Sequence, residues 1–433
     1  LPENTEKKPS IVLLLTSNFP FRTGEEFIEN EITYLSKGFT KVLIAPLSYR
    51  PGMSQTRVVP ENVELVLPGA RYRTASDLRD IISFILRHPG RFFLSIRRSI
   101  FSKEKLRFRH IDLMFDLHCS MLAENINGAL SKNYNDPELS IIYCYWFHTQ
   151  ARVAVALKSL IQFQSTPIIS RGHRSDIYEE AHLNGHLPQR RIMITDMKKL
   201  YAVSEDGTAY LKEKFPRFAK QIETRYLGVN AATNAGNPSL QSKQLVTCSA
   251  ISNVKRLPLL IEALAILQKS HPDVVWIHYG WGEGSAVDSV VALAREKLTP
   301  GSFDFKGAIP NSDLRAVYGS TPATAFINVS SSEGVPVSMM EALAQGLPLI
   351  ATDVGGSREL INTKLGMFPG LLSSDPSPTE VASAIQALLE SSDSDYANYV
   401  KASLLAWESK WSAERNYSKF TQDIAGLAGP ISD

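Results

Sequence analysis

Residues 325–351 constrain the fold more than any other part of this chain. Residues 325–329 form a short apolar run of strand type, followed by the small polar residues Ser330, Ser331 and Ser332. Pro336 stands where a helix begins, and Met339, Met340 and Leu343 supply its apolar face. Gly346 stops that helix, and residues 347–351 open the next strand. In this succession the first backbone N–H groups of the helix lack intrahelical partners. The aligned peptide dipoles place about half a positive charge there, so the turn suits an anion. Glu333 lies in the loop, and Glu341 lies about one and a half turns after Pro336. On their own, two such residues are better explained by a helix cap and a solvated carboxylate.

A chain of 433 residues is long enough for two domains with separate cores. Its formal net charge of +2 gives no sign of a nucleic-acid partner. Cys119, Cys144 and Cys248 are scattered in apolar surroundings, which predicts buried thiols in a reducing compartment. No apolar run reaches membrane-spanning length and no signal-peptide pattern is present. A start at Leu1 reads as trimmed, and a cytoplasmic location is the default expectation.

Further strands are predicted at 11–16, 41–45, 63–67, 140–146, 199–203 and 224–227. The first delivers Gly24 in a loop onto a helix, with Thr23 and Glu26 read as a capping box. That is where α/β sheets bind ligands, although an ordinary β–α turn explains it equally well. Residues 87–109 are basic and aromatic-rich: Arg87, Arg91, Arg97, Arg98, Lys103, Lys105, Arg107 and Arg109 face only Glu104, with Phe92, Phe93, Leu94, Ile96, Ile100 and Phe101 between them. Such a segment suits an anionic membrane face, or else a helical insertion whose apolar residues pack inward. His173, Arg174 and Asp176 cluster where a strand ends, with Tyr178 just beyond, and His148 is a second candidate for a cleft.

Ser204 is placed as an N-cap, and residues 230–239 are small and polar like a linker. Strands at 245–248, 273–279, 302–305, 325–329 and 347–351 then alternate with helices, as in a parallel sheet with crossovers. Lys255 and Arg256 precede the first of these helices, and two adjacent cations there suit a diphosphate. Gly280, Gly282 and Gly284 follow the next strand, a weak phosphate-loop signal. Asp393 and Asp395 are read as part of a solvated linker, and no ligand spacing for a metal occurs.

The block Glu333-Gly-Val-Pro with Glu341-Ala-Leu-Ala-Gln-Gly-Leu-Pro-Leu-Ile-Ala-Thr-Asp-Val-Gly-Gly356 resembles the Glu-x7-Glu signature of retaining glycosyltransferases of family 4. The resemblance implies a GT-B fold: two Rossmann-like α/β domains whose parallel sheets face a central cleft, with a C-terminal helix crossing back to the first domain. It implies that Glu333 lies by the donor sugar and Glu341 holds the ribose, with Gly334, Val335, Pro336 and Val337 around the phosphates. His173-Arg-Ser-Asp176 is similar to the family's His-Gly-x-Asp element, whose His contacts the sugar, although Arg174 stands where Gly is usual. Residues 19–31 resemble the family's N-terminal loop and helix, which brings in Gly24. Lys255 matches the family's cationic pair, but the expected Arg falls at Ala250, so Arg256 is taken as its substitute. Gly282 resembles the loop lining the nucleotide pocket, and Ile309 the loop that meets the base.

The expected division is an acceptor-side domain over 1–229, a linker over 230–240, a nucleotide-sugar domain over 241–410 and a returning helix over 411–433. The expected reaction is metal-independent, needs no cofactor, and carries a sugar with retention from a nucleoside diphosphate sugar to a glycan or lipid-linked glycan. UDP is a commoner base than GDP or ADP. Synthesis of cell-surface polysaccharide or glycolipid would place the protein in the cytoplasm or on the inner face of the membrane. The competing readings are a nucleotide-sugar epimerase of the same fold and a non-catalytic nucleotide-sugar or glycan binder.

Overall fold

The computed structural model describes residues 11–22, 24–67, 78–100, 106–134, 138–160, 163–182, 184–232, 236–282, 284–309 and 322–428. The chain divides into two compact units, one comprising residues 1–203, 207–225 and 417–433, the other 204–206 and 226–416.

In the first unit β1 (Ile11–Thr16) leads to α1 (Phe27–Gly38), β2 (Lys41–Pro46) and β3 (Val63–Leu65). Helices α2 (Leu78–Arg87), α3 (Pro89–Ile100) and α4 (Arg109–Tyr134) follow, then β4 (Ile141–Cys144), α5 (Thr149–Lys158), β5 (Ile168–Gly172) and α6 (Arg174–Ile177). Next come α7 (Arg190–Asp196), β6 (Lys199–Ala202), α8 (Glu205–Lys214) and β7 (Ile222–Thr224). The sheet order is β3-β2-β1-β4-β5-β6-β7, with every pair parallel. Crossover helices cover both faces, so β1 can be apolar on both sides: Val12, Leu13, Leu14 and Leu15 are all fully buried. The order reverses between β1 and β4, where ligand crevices form in such sheets.

The second unit holds β8 (Gln244–Cys248), α9 (Leu257–Leu267), β9 (Val275–Tyr279), α10 (Ser285–Lys297), β10 (Phe303–Phe305), β11 (Ala325–Asn328) and α11 (Val337–Ala344). It continues through β12 (Leu349–Thr352), β13 (Leu371–Leu372), α12 (Pro378–Leu389) and α13 (Asp393–Ala406). Its sheet runs β10-β9-β8-β11-β12-β13, again parallel, with the reversal between β8 and β11.

Two expectations need correction, and others fall outside the described residues. The strand placed at 224–227 ends at Thr224, because the pairing of β7 with β6 stops there. Residues 393 and 395 are no linker: Ser392 caps α13, its Oγ accepting the Asp395 N–H at 3.1 Å. Thr23 lies outside the described residues, as do Phe101, Lys103, Glu104 and Lys105, and α1 begins at Phe27 with Glu26 at its cap.

The last helix, α14 (Ala413–Leu427), belongs to the first unit from Tyr417 onward. Phe420 and Ile424 join the core formed by Val12, Leu14, Ile28 and Ile32. A buried polar knot fixes the helix. The Arg171 guanidinium lies 3.9 Å from the Phe420 ring centroid, its Nη2 is 3.3 Å from Glu31 Oε2, and its Nε donates to Tyr143 Oη at 2.7 Å. Tyr143 in turn donates to Glu31 Oε1 at 2.7 Å.

Candidate functional site

In the second unit the candidate residues gather at the C-terminal ends of β8, β9, β11 and β12. The chain leaves β8 at Ser249 and reaches Lys255 and Arg256 just before α9. The Ser331 N–H donates to Val254 O at 2.8 Å, which draws the loop after β11 against this one. Lys255 Nζ then lies 2.6 Å from Glu333 Oε1, and Asn328 Nδ2 lies 3.3 Å from the same oxygen. Glu333 is 8% exposed while Lys255 is partly open to solvent, so the pair is screened less than one on the surface. A small cavity beside Lys255 is lined by Thr247, Ser249, Asn328 and Ser330.

Arg256 adopts a left-handed conformation with φ of 48°. Its Nε donates to Val329 O at 2.7 Å and its Nη2 to Ser330 O at 3.0 Å, while Nη1 pairs with Asp375 at 2.9 Å. The guanidinium therefore fastens the loop after β11 to the segment after β13. Ala250 is exposed.

Pro336 precedes α11, and Glu341, in the middle of that helix, is buried. Val335 and Pro336 are buried as well, while Gly334 and Val337 are partly exposed. Gly356 N donates to Gly334 O at 2.6 Å, and an added Cβ at Gly356 would lie 2.6 Å from Val335 Cγ2. Only glycine allows β12's loop to approach the Glu333 loop this closely. Gly282 acts likewise, since its Cβ would lie 2.5 Å from Ile251 O. Gly280 N bonds to Gly307 O at 2.8 Å, which brings the loop ahead of Ile309 beside the glycine loop. Among the described residues no group of three or more His, Cys, Asp or Glu could hold a metal ion.

In the first unit His173, Arg174, Asp176, His148 and Gly24 all sit beyond the C-terminal ends of β5, β4 and β1. Asp176 pins two of these turns. Its Oδ2 accepts the Phe147 N–H at 2.6 Å and its Oδ1 accepts the His173 N–H. Burial pushes the Asp176 carboxyl up to about 7 against those two donors. His173 Nε2 donates to Tyr145 O at 3.1 Å, and its ring packs on Trp146 at 4.5 Å. Burial, reinforced by Arg171, lowers His173 to about 3, so it is a neutral imidazole. His148 is lowered to about 4 by burial and by nearby His182 and Arg190. Arg174 opens the helical turn α6 and has no positive φ, so the glycine usual at this place is not needed for the backbone.

Sequence reasoning missed Glu25. This buried carboxylate accepts the N–H groups of Ser17 at 2.8 Å and of Asn18 and Phe19 at 2.7 Å, together with Trp146 Nε1 at 2.6 Å. It occupies the anion nest that the loop after β1 makes for itself. Gly24, with φ of 108°, gives the chain the turn that brings Glu25 back. Asn328 and Asp375 were also missed, as nothing in their local pattern marks them.

Two parallel-sheet Rossmann-like units, with the C-terminal helix returned to the first, define a GT-B protein. Residues 232–403 match the family model described as glycosyl transferases group 1. Over 164 residues the chain is 25% identical to the UDP-N-acetylglucosamine–peptide N-acetylglucosaminyltransferase GtfA subunit of Streptococcus pneumoniae serotype 4, covering 37% of this chain and 31% of that protein. The chain thus spans about a third of that relative's length. Sucrose-phosphate synthase from Thermosynechococcus elongatus superposes with a TM-score of 0.70 at 15% identity, covering 96% of this chain and 99% of the other. The Anabaena HepE protein in complex with UDP gives a TM-score of 0.66 at 14% identity, covering 96% and 100%.

Proposed function

We propose that this chain is a retaining, metal-independent glycosyltransferase of family 4. In this reading it moves a sugar from a nucleoside diphosphate sugar, by first preference a UDP-sugar, to a hydroxyl of a glycan or lipid-linked acceptor in cell-surface polysaccharide or glycolipid synthesis. The observation that carries this reading is the Lys255–Glu333 pair at the strand-order reversal of the second unit, inside the stretch that matches glycosyl transferases group 1. The UDP complex of HepE and the UDP-sugar named for the streptococcal relative support the preference for uridine.

Lys255 and Glu333 pair with each other. An arriving diphosphate competes for Lys255 and releases Glu333 toward the sugar. As the bond to the leaving diphosphate breaks, negative charge grows on its oxygens, and Lys255 and the N–H groups opening α11 stabilise it. The sugar acquires oxocarbenium-like character, which the Glu333 carboxylate offsets or steadies through a hydroxyl. Arg256 acts by holding the loop that carries Glu333. Glu341 takes the ribose hydroxyls, and the loops of Gly282 and Ile309 border the nucleoside. His173 is assigned a contact with the sugar, and Asp176, Arg174 and His148 the acceptor side.

The test is release of nucleoside diphosphate from a panel of UDP-, GDP- and ADP-sugars in the presence of EDTA, with NMR of any product. Release from one donor with the anomeric configuration kept supports the reading. A requirement for divalent metal, or an inverted product, would overturn that part of it.

A further inference from the structure

Apolar side chains exposed to water are unevenly distributed over this molecule. Of the thirteen large ones exposed among the described residues, seven lie between Ile82 and Met114: Ile82, Leu86, Phe93, Leu94, Ile100, Leu106 and Met114. Clustering of exposed apolar side chains on α2 and α3 points to an interaction site.

Helical phase explains the pattern. On α2 the buried Phe84 faces α4, and residues two before and two after it, Ile82 and Leu86, point the opposite way. On α3 Phe92 packs into the same cluster as Phe84, Leu117 and Met121, and Ser95 and Ser99 are buried beside α4. Phe93, Leu94, Arg97 and Ile100 occupy the outward arc. Each helix therefore carries apolar side chains outward as well as inward, which core packing alone does not require.

Charge decides what covers the outer face. The cations divide between the two sides. Arg91 pairs with Glu124, and Arg98 lies 3.8 Å from the buried Asp116. Arg87 and Arg97 remain exposed among the apolar side chains, and the only carboxylate in the sequence from 81 to 111 is Glu104.

We propose that the outward face of α2 and α3 lies on an anionic phospholipid bilayer, with Leu86, Phe93, Leu94 and Ile100 entering the headgroup boundary and Arg87 and Arg97 pairing with lipid phosphates. Long Arg stems suit this arrangement, because their methylenes lie along apolar surface while the guanidinium stays at the polar level. No described helix is long and apolar enough to cross a membrane, so contact is in the plane of the interface. A second copy of the chain fits less well, since a two-fold contact through this face would set its own cations against one another. The proposal does not depend on the transferase reading.

Sedimentation of the full chain with vesicles tests it. Binding is expected with mixed phosphatidylcholine and phosphatidylglycerol vesicles, weakening as salt rises, and not with phosphatidylcholine alone. At about a fivefold loss per cation near the surface, Arg87→Ala with Arg97→Ala lowers the partition about thirtyfold. Leu86→Ser with Phe93→Ser lowers it at least about tenfold while leaving thermal unfolding unchanged, because both side chains start exposed. Equal binding to neutral vesicles, or none to either, overturns the proposal. So does a dimer in solution that Phe93→Ser dissolves.

Discussion

Replacing Gly356 with Ala tests whether the packing of β12's loop sets the position of Glu333. Gly356 has no positive φ, so alanine brings no backbone strain, only a methyl group. That Cβ would lie 2.6 Å from Val335 Cγ2, nearer still to Gly334 O, and 3.1 Å from Ser204 Cβ. Real Cβ atoms do not approach within 3.0 Å and the nearest atom is backbone, so the Gly334–Val335 segment must retreat by more than 0.4 Å. Overpacking of this kind costs about 1–3 kcal/mol, or roughly 2–10 °C of melting temperature in a unit of this size. Misplacing a catalytic group by 1 Å costs about a hundredfold, so roughly half that distance costs about tenfold. The assay is donor turnover beside thermal unfolding, with Gly366→Ala as control. Gly366 has φ of 81° but nothing within 4 Å of its added Cβ, so that variant loses stability through strain alone. Gly356→Ala is expected to lose both activity and stability, and Gly366→Ala only stability. Full turnover in Gly356→Ala would refute the reasoning.

Other consequences follow from the same contacts. Arg171→Met leaves Glu31 buried without its cation and should cost about 3–5 kcal/mol in chemical denaturation, part of which Glu31→Leu restores in the double variant. Arg256→Ala removes the donors to Val329 O and Ser330 O; at about 1.5–3 kcal/mol for a charged hydrogen bond, it should weaken nucleotide binding measurably in titration calorimetry. His173, lowered from 6.5 to about 3, stabilises the fold fully above pH 6.5 and loses that contribution as pH falls toward 3. Asp176, raised from 3.8 to about 7, has the opposite slope between those values, so the pair nearly cancels in the parent protein. His173→Gln should therefore gain about 1.4 kcal/mol per pH unit relative to the parent between pH 6.5 and 4 in denaturation curves.

The strand–loop–helix–strand unit around Glu333 was legible because its apolar runs, Pro336 and Gly346 act locally. So were the alternation and the parallel sheets, through continuous apolar strands such as residues 11–16. The contact of Lys255 with Glu333 was not legible, since 78 residues separate them and it arises from sheet order. The commitment of Arg256 to Val329 and Ser330 was not legible either, because its partners are backbone carbonyls. Glu25 was missed because nothing local marks it, and only the fold of the loop turns it onto three N–H groups. The outward face of α3 was half legible: the pattern listed Phe92 and Phe93 alike, and the packing of α4 decides which of them is exposed.

The most direct measurement of the central claim is calorimetric titration of UDP, together with turnover, for the parent chain, Lys255→Ala and Glu333→Gln. If Lys255 meets the diphosphate and Glu333 the sugar, Lys255→Ala loses both affinity and turnover. Glu333→Gln, which frees Lys255 from its carboxylate, binds UDP at least as tightly as the parent yet loses turnover. Unchanged UDP affinity in Lys255→Ala, or full turnover in Glu333→Gln, would contradict the account.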